Sequence, residues 1–349
     1  TNIIVSGNCT WVADPSAWIE LPLFVNTAGT LTISGFVFYR SNTFTYVAGT
    51  IAGTGEVYSN GNTTWDTSLM SFPNLQLYSG IHTLLSDINV SGLFTTATNL
   101  TINGYKIYMN GSLYVSGGNH VVGTTELYFI GTGSWTASGV TSVIRLNIYI
   151  ATSGTLTISG IVYYNTGTLT YVSGTVVTTG STLNISSGAT LDCGSVIWNN
   201  VTFTNTQTTT LLDHLTINGT FNPNGTIGSI VTTINGSDTY FIYCNGNIIN
   251  NNGSIRGTTK IYAQGSGTIS IAIGYIGVKE FILDGDYTIT QVTFNNLEGT
   301  MFVTYNSGTI ISTGRCSVNN NVTMNTGSGV KKKKKFQNGA GSNMNLASD

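Results

Sequence analysis

The chain is 349 residues long, and only 7% of them are charged, where an ordinary soluble domain carries about a quarter. Glycine takes 43 places and proline 4, about 12% and 1% against usual values of ~7% and ~5%, and Thr, Ser and Asn fill positions that Lys, Glu and Arg normally hold. An apolar share of 40% with 18 Tyr and 14 Phe excludes an intrinsically disordered chain, and scarce Pro with no three-residue Gly period excludes collagen.

The longest apolar stretch, 18–25, is broken by Glu20 and Pro22 and falls short of the roughly 18 residues a transmembrane helix needs. Residues 1–330 carry seven basic and thirteen acidic side chains, a net of −6, whereas residues 331–349 carry Asp349 and the run from Lys331 to Lys335, a net of +4. So weakly charged a body has no basic face for nucleic acid. The run reads as a solvated polar tail after Gly327-Ser328-Gly329; docking on an acidic partner or nucleic acid is its alternative role. Cys9, Cys193, Cys244 and Cys316 are scattered, with no C-x-x-C and no His at ligand spacing, and read as isolated buried thiols.

Straight-chain helix formers are scarce and no window carries an i, i+3, i+4, i+7 apolar stripe. Short alternating runs recur instead, among them Leu156-Thr157-Ile158, Leu169-Thr170-Tyr171-Val172, Val201-Thr202-Phe203 and Leu215-Thr216-Ile217, closed by Gly or by Ser-Gly and Asn-Gly pairs. These are strand signals with turns that tolerate positive φ.

The chain also repeats itself. Residues 18–35, ending Gly29-Thr30-Leu31-Thr32-Ile33-Ser34-Gly35, return as 143–160, ending Gly154-Thr155-Leu156-Thr157-Ile158-Ser159-Gly160, at an offset of 125 without a gap. Thr45-Tyr46-Val47-Ala48-Gly49-Thr50-Ile51 answers Thr170-Tyr171-Val172-Ser173-Gly174-Thr175-Val176. A third, shorter copy opens at Gly257-Thr258-Thr259-Lys260-Ile261-Tyr262, which matches Gly123-Thr124-Thr125-Glu126-Leu127-Tyr128, and Gly308-Thr309-Ile310 closes like Gly174-Thr175-Val176. The organisation is therefore two β repeats, 1–124 and 125–256, a truncated third, 257–330, and the Lys-rich tail 331–349.

No linker marks the joints near 124 and 258, which favours a continuous stack over separate modules. The expected fold is all-β, a parallel β-solenoid with coils of about 20 residues separated by the inter-strand spacing of about 4.8 Å; tandem β-sandwich domains are the alternative. In a solenoid, Val, Ile, Leu and Phe stack inward, and Thr, Ser and Asn stack outward and hydrogen-bond along the ladder. Like charges repeated at 4.8 Å repel, which accounts for their scarcity. The terminal edges of such a stack, near 1–15 and 310–330, are expected to be covered by a cap, a partner or another copy.

Chemistry-bearing residues are few. There is no G-x-S-x-G, H-E-x-x-H or G-x-x-x-x-G-K motif, so no catalytic, cofactor-binding or metal-ligating residue is assigned. The densest acidic cluster, Glu280 with Asp284-Gly285-Asp286 beside Lys279, reads first as a turn, with an active or ion site as its alternative. Asp66 and Asp192 hold equivalent repeat positions about six coils apart, too far for the 5–9.5 Å of a glycosidase pair. His214 beside Asp213 reads as a capped histidine. Tyr39, Tyr46, Tyr163, Tyr164, Tyr171 and Tyr243 read mainly as core or ladder residues, with a carbohydrate-stacking platform as their alternative. About a dozen N-x-S/T sequons, Asn62-Thr63-Thr64 and Asn110-Gly111-Ser112 among them, match what so Asn-, Ser- and Thr-rich a chain yields by chance.

Gly154-Thr155-Leu156-Thr157-Ile158-Ser159-Gly160 and the stretch from Gly167 through Gly174-Thr175-Val176-Val177-Thr178-Thr179-Gly180 resemble the Gly/Thr/Ser/Asn-rich repetitive β-solenoid appendage proteins of bacteriophages and large viruses. Bacterial β-helical adhesins and surface-layer proteins are written similarly. The resemblance implies a structural virion component on the virion surface or outside the cell, a fibre, spike or capsid decoration, homo-oligomeric and often trimeric. The functional expectation is a non-enzymatic structural or receptor-binding β rod whose partners are its own copies, neighbouring virion or surface proteins and cell-surface glycans. A β-helical polysaccharide depolymerase and a bacterial adhesin are the alternatives.

Overall fold

The computed structural model describes residues 3–12, 18–40, 42–67, 70–117, 120–139, 142–186, 188–204, 208–223, 231–235, 240–250, 254–295, 300–318 and 322–326; the run from Lys331 to Lys335 lies outside them. The described chain is all-β, a parallel β-solenoid without helices. It divides into two compact units, Thr1–Val177 and Thr178–Asp349. Neighbouring coils pair in parallel register, which excludes β-sandwiches, whose sheets are antiparallel.

In unit 1 a coil consists of three strands. Asn74–Leu77, Gly80–Leu84 and Ile88–Val90 form one, and Leu93–Ala97, Leu100–Gly104 and Lys106–Met109 form the next. Each strand pairs with the third strand along the chain, which generates three parallel sheets: sheet A through Asn74–Leu77 and Leu93–Ala97, sheet B through Gly80–Leu84 and Leu100–Gly104, and sheet C through Ile88–Val90 and Lys106–Met109. At two places, strands of 11 or 12 residues replace the separate short ones. Leu23–Ser34 and Asn147–Ile158 each pair one half with one strand of the coil below and the other half with another, so the backbone rounds a corner without leaving the ladder.

Alternation decides which side chains enter. Along sheet A, Val57, Leu75, Phe94, Leu113 and Trp135 stand in register at steps of 18, 19, 19 and 22 residues, and all are at most 1% exposed. Each such side chain contributes about 1.5–3 kcal/mol on burial. The coil length of about 20 residues expected from the sequence is the observed one. Unit 2 repeats the plan with Leu183, Val201, Phe221, Ile248 and Ile269 at steps of 18, 20, 27 and 21. Its coil of 27 is lengthened ahead of the strand Phe241–Cys244.

Two recurring devices hold the corners. In the first, an Asn at or beside the start of a strand turns its Oδ1 toward the next coil and accepts a backbone N–H there. Asn8 accepts from Thr30 at 2.8 Å, Asn62 from Ile81 at 2.9 Å, Asn74 from Leu93 at 2.7 Å and Asn147 from Thr168 at 2.9 Å in unit 1. Asn200 accepts from Thr220 and Asn247 from Thr268, both at 2.8 Å, in unit 2. The separations of 19 to 22 residues equal one coil. Where the chain bends, the backbone carbonyl of the coil below points away, and the amide side chain supplies the missing acceptor.

The second device is the sequence Tyr-x-x-Gly. Tyr46 donates its hydroxyl to the carbonyl of Gly49 at 2.5 Å, Tyr171 to that of Gly174 at 2.7 Å, and Tyr305 to that of Gly308. Gly49 and Gly174 sit at φ of +122° and +106°, where a side chain is strained. A Cβ on Gly49 would also lie 2.8 Å from the Thr27 carbonyl oxygen. The matches that defined the three sequence repeats thus mark one corner geometry used three times.

Candidate functional site

The outward positions of sheet A in the first coils of unit 1 carry aromatic rings. Strands Trp18–Ile19, Phe36–Arg40 and Glu56–Asn60 pair in register Trp18, Phe38, Tyr58, and their alternate residues Ile19, Tyr39 and Ser59 face inward. Trp18 and Phe38 have centroids 5.1 Å apart at 63°, and Phe38 and Tyr58 have centroids 5.3 Å apart at 53°. Phe36 lies 6.1 Å from Phe38, and Tyr78 lies 5.5 Å from Tyr58. On one flank the Arg40 guanidinium covers Trp18 at 4.4 Å and pairs with Glu20 at 3.5 Å. On the other flank stands Glu56, in register with Phe36 and Asn74. Burial raises the Glu56 pKa, and its Oε1 has no hydrogen-bond partner among the described residues. Burial, with Tyr78 and Glu56 nearby, pushes the Tyr58 phenol up to about 12.

A second strip lies on sheet C, where Tyr108, Tyr128 and Tyr149 stand in register. Here the rings close on one another: Tyr128 and Tyr149 stack at 4.5 Å and 7°. Glu126 accepts the Tyr128 hydroxyl at 2.9 Å and the Tyr149 hydroxyl at 3.1 Å. Lys106 lies 3.7 Å from Glu126 and 4.9 Å above the Tyr128 ring. The hydroxyls of Tyr128 and Tyr149 are thus satisfied within the ladder.

Unit 2 carries a third strip of Phe241, Tyr243 and Tyr262, with His214 5.2 Å from Tyr243. Lys260 sits 5.2 Å over Phe241 and 3.7 Å from Glu280. The Tyr262 hydroxyl donates to Asp284 at 2.7 Å, and Ser307 donates to the other oxygen of the same carboxylate. Both bonds hold the Asp284 carboxyl below its ordinary range, Ser307 first. All three strips therefore combine a cation, a carboxylate and aromatic rings on an outward face.

The residues singled out in the sequence fall into place as follows. Tyr39, Tyr163 and Tyr164 are buried, Tyr46 and Tyr171 make the corner bonds, and Tyr243 alone of the six lies in an outer strip. Asp284-Gly285-Asp286 is no turn: it lies inside the strand Glu280–Phe294, in register with Gln264-Gly265-Ser266. Asp286 accepts from the Thr309 N–H at 2.7 Å. His214 Nδ1 accepts the Phe241 N–H at 3.1 Å, and Asp213 accepts the His214 N–H, so the ring completes the coil's backbone bonding. Cys193, Cys244 and Cys316 are buried, and burial raises the pKa of each thiol, while Cys9 is half-buried. No group of three or more His, Cys, Asp or Glu able to hold a metal occurs among the described residues, and no helix there is long and apolar enough to cross a membrane.

Trp18, Phe36, Phe38 and Tyr58 went unnoticed in the sequence, although the 20-residue spacing of Trp18, Phe38 and Tyr58 was visible there. The chain matches no protein-family model, no curated protein and no solved structure.

Proposed function

We propose that the chain is a non-catalytic structural and receptor-binding component of a virion appendage or capsid surface. It is a stiff β-solenoid that holds aromatic strips in fixed register toward copies of itself, neighbouring surface proteins and glycans. The observation that carries this reading is how the outward carboxylates are used. Glu126, Asp284 and Asp286 each accept a hydrogen bond from the next coil, which makes them struts between layers. A glycoside-cleaving centre instead needs a carboxyl whose pKa is raised so that it can donate a proton, whereas the bonds from Ser307 and Tyr262 hold Asp284 below its ordinary range. The virion assignment rests on the likeness of the Gly/Thr/Ser/Asn text to appendage proteins.

Immunogold labelling of particles from the source, combined with a reducing-end assay of the full chain on capsular polysaccharides, tests the proposal. Label on appendages or the outer surface with no reducing ends released is the expected result. Label confined to the cell interior, or sustained release of reducing ends, overturns it.

A further inference from the structure

We infer that the outward column Trp18, Phe38 and Tyr58 of unit 1, with Phe36 and Tyr78 beside it, binds an extended neutral polysaccharide lying along the stacking direction. The inference rests on the receptor-binding reading above and gives it a ligand class.

Spacing is the first argument. The rings follow one another at 5.1 and 5.3 Å, a step imposed by strand pairing, and a pyranose in an extended chain advances by a similar step. Successive sugars would therefore meet successive rings, apolar C–H face against π face. The tilts are the second argument. At 63° and 53° these neighbours do not close face to face, unlike Tyr128 and Tyr149 at 7°; Phe38 and Tyr58 keep part of their surface exposed, and Arg40 covers one face of Trp18. Phe36 is 49% exposed.

Polar groups line both edges of the column, as sugar hydroxyls require. Arg40 and Glu20 keep 44% and 62% of their side-chain surface exposed on one side. Glu56 stands half-buried on the other. Charge selects the polymer. Glu20 and Arg40 offset each other, so the patch has no net positive charge to draw an anionic glycan.

The patch alone is too small to hold a second copy. Three columns about 7 Å apart over four coils about 4.8 Å apart span roughly 14 Å by 14 Å. That is about 200 Å², a quarter of the ~800 Å² per partner that a stable protein interface buries. It suits three or four sugar units.

Affinity electrophoresis of the full chain through gels containing hydroxyethyl cellulose, galactomannan or polygalacturonate tests the inference, with reducing ends assayed in the same mixtures. The expected result is retardation by a neutral polymer, weakened about tenfold by Trp18→Ala and several-fold by Phe36→Ala, and unchanged by Tyr105→Ala, an exposed aromatic elsewhere in unit 1. Phe36→Ala removes no core contact and decides the matter if Trp18→Ala fails to fold. Lack of retardation by both neutral polymers, retardation by polygalacturonate alone, or unchanged retardation of Phe36→Ala overturns the inference. Reducing ends released alongside normal retardation would instead overturn the non-catalytic reading and leave the binding strip standing.

Discussion

Trp65 donates its indole N–H to Nδ1 of His82 across 3.2 Å in the core of unit 1. The opposite nitrogen, Nε2, faces the carbonyl of Ser79 at 3.2 Å. Nδ1 accepts and Nε2 donates, so the neutral imidazole is the form the site fits. A second proton would sit on Nδ1 and point at the Trp65 N–H.

Acid therefore weakens unit 1. Burial lowers the His82 pKa from its ordinary 6.5 to about 4, only partly offset by the Ser79 carbonyl. Because the folded pKa lies below the unfolded one, the unfolded chain binds the extra proton first as pH falls. The contribution of His82 is intact above pH 6.5 and is lost progressively between pH 6.5 and about 4, a change of about 3 kcal/mol. Urea midpoints measured across that window should fall in the wild type, with a slope smaller by up to one proton in His82→Gln. Equal slopes in the two proteins would remove His82 as the cause.

Asparagine clamps are worth more than exposed asparagines. Asn74 accepts from Leu93 N–H at 2.7 Å and donates to the carbonyls of Thr54 at 3.0 Å and Gly55 at 3.3 Å. Asn74→Ala leaves those groups to find water at a bend, at a cost of about 1–3 kcal/mol. Asn99→Ala, at an exposed position, should change stability by less than about 0.5 kcal/mol. Thermal denaturation of both variants checks the contrast.

At the Tyr-x-x-Gly corner, Gly174→Ala forces a Cβ into φ of +106° and against the Thr152 carbonyl oxygen. A loss of at least 1–2 kcal/mol is expected from the backbone strain alone. Gly139→Ala, whose added Cβ meets nothing within 4 Å, should be neutral. A melting temperature unchanged by Gly174→Ala would show that the corner relaxes freely.

Much of this architecture was readable in the chain itself. Alternation along Leu156-Thr157-Ile158 showed strand type and inward faces, because a two-residue period is a property of the text; Gly174-Thr175-Val176 recurs only at 125 and 134 residues, so the coil of about 20 residues followed from the geometry of a stacked solenoid. The clamps were foreshadowed only as stacked outward asparagines. Which Asn reaches which N–H depends on where the chain bends, and Asn74 and Leu93 are 19 residues apart. The aromatic column was missed for a related reason. Trp18, Phe38 and Tyr58 look like ordinary strand residues until the register places them on one outward line, whereas Tyr39, one residue from Phe38, faces the core. Asp284-Gly285-Asp286 was misjudged because a Gly between two Asp signals a turn locally, while the neighbouring coil holds Gly265 beside Gly285 in a continuous ladder.

The in-register parallel stack underlies all of these claims, and paired cysteines test it most directly. Ile81 and Thr101 are register partners on the outward side of sheet B, within the 4.4–6.8 Å of Cα separation, roughly, that a disulfide accepts. In a Cys9→Ser background, Ile81→Cys with Thr101→Cys should oxidise rapidly to an 81–101 bridge found by peptide mapping. Ile81→Cys with Asn103→Cys, offset by two residues to about 8 Å, should stay reduced. Rapid bridging of the offset pair, with none in the register pair, would contradict the stack.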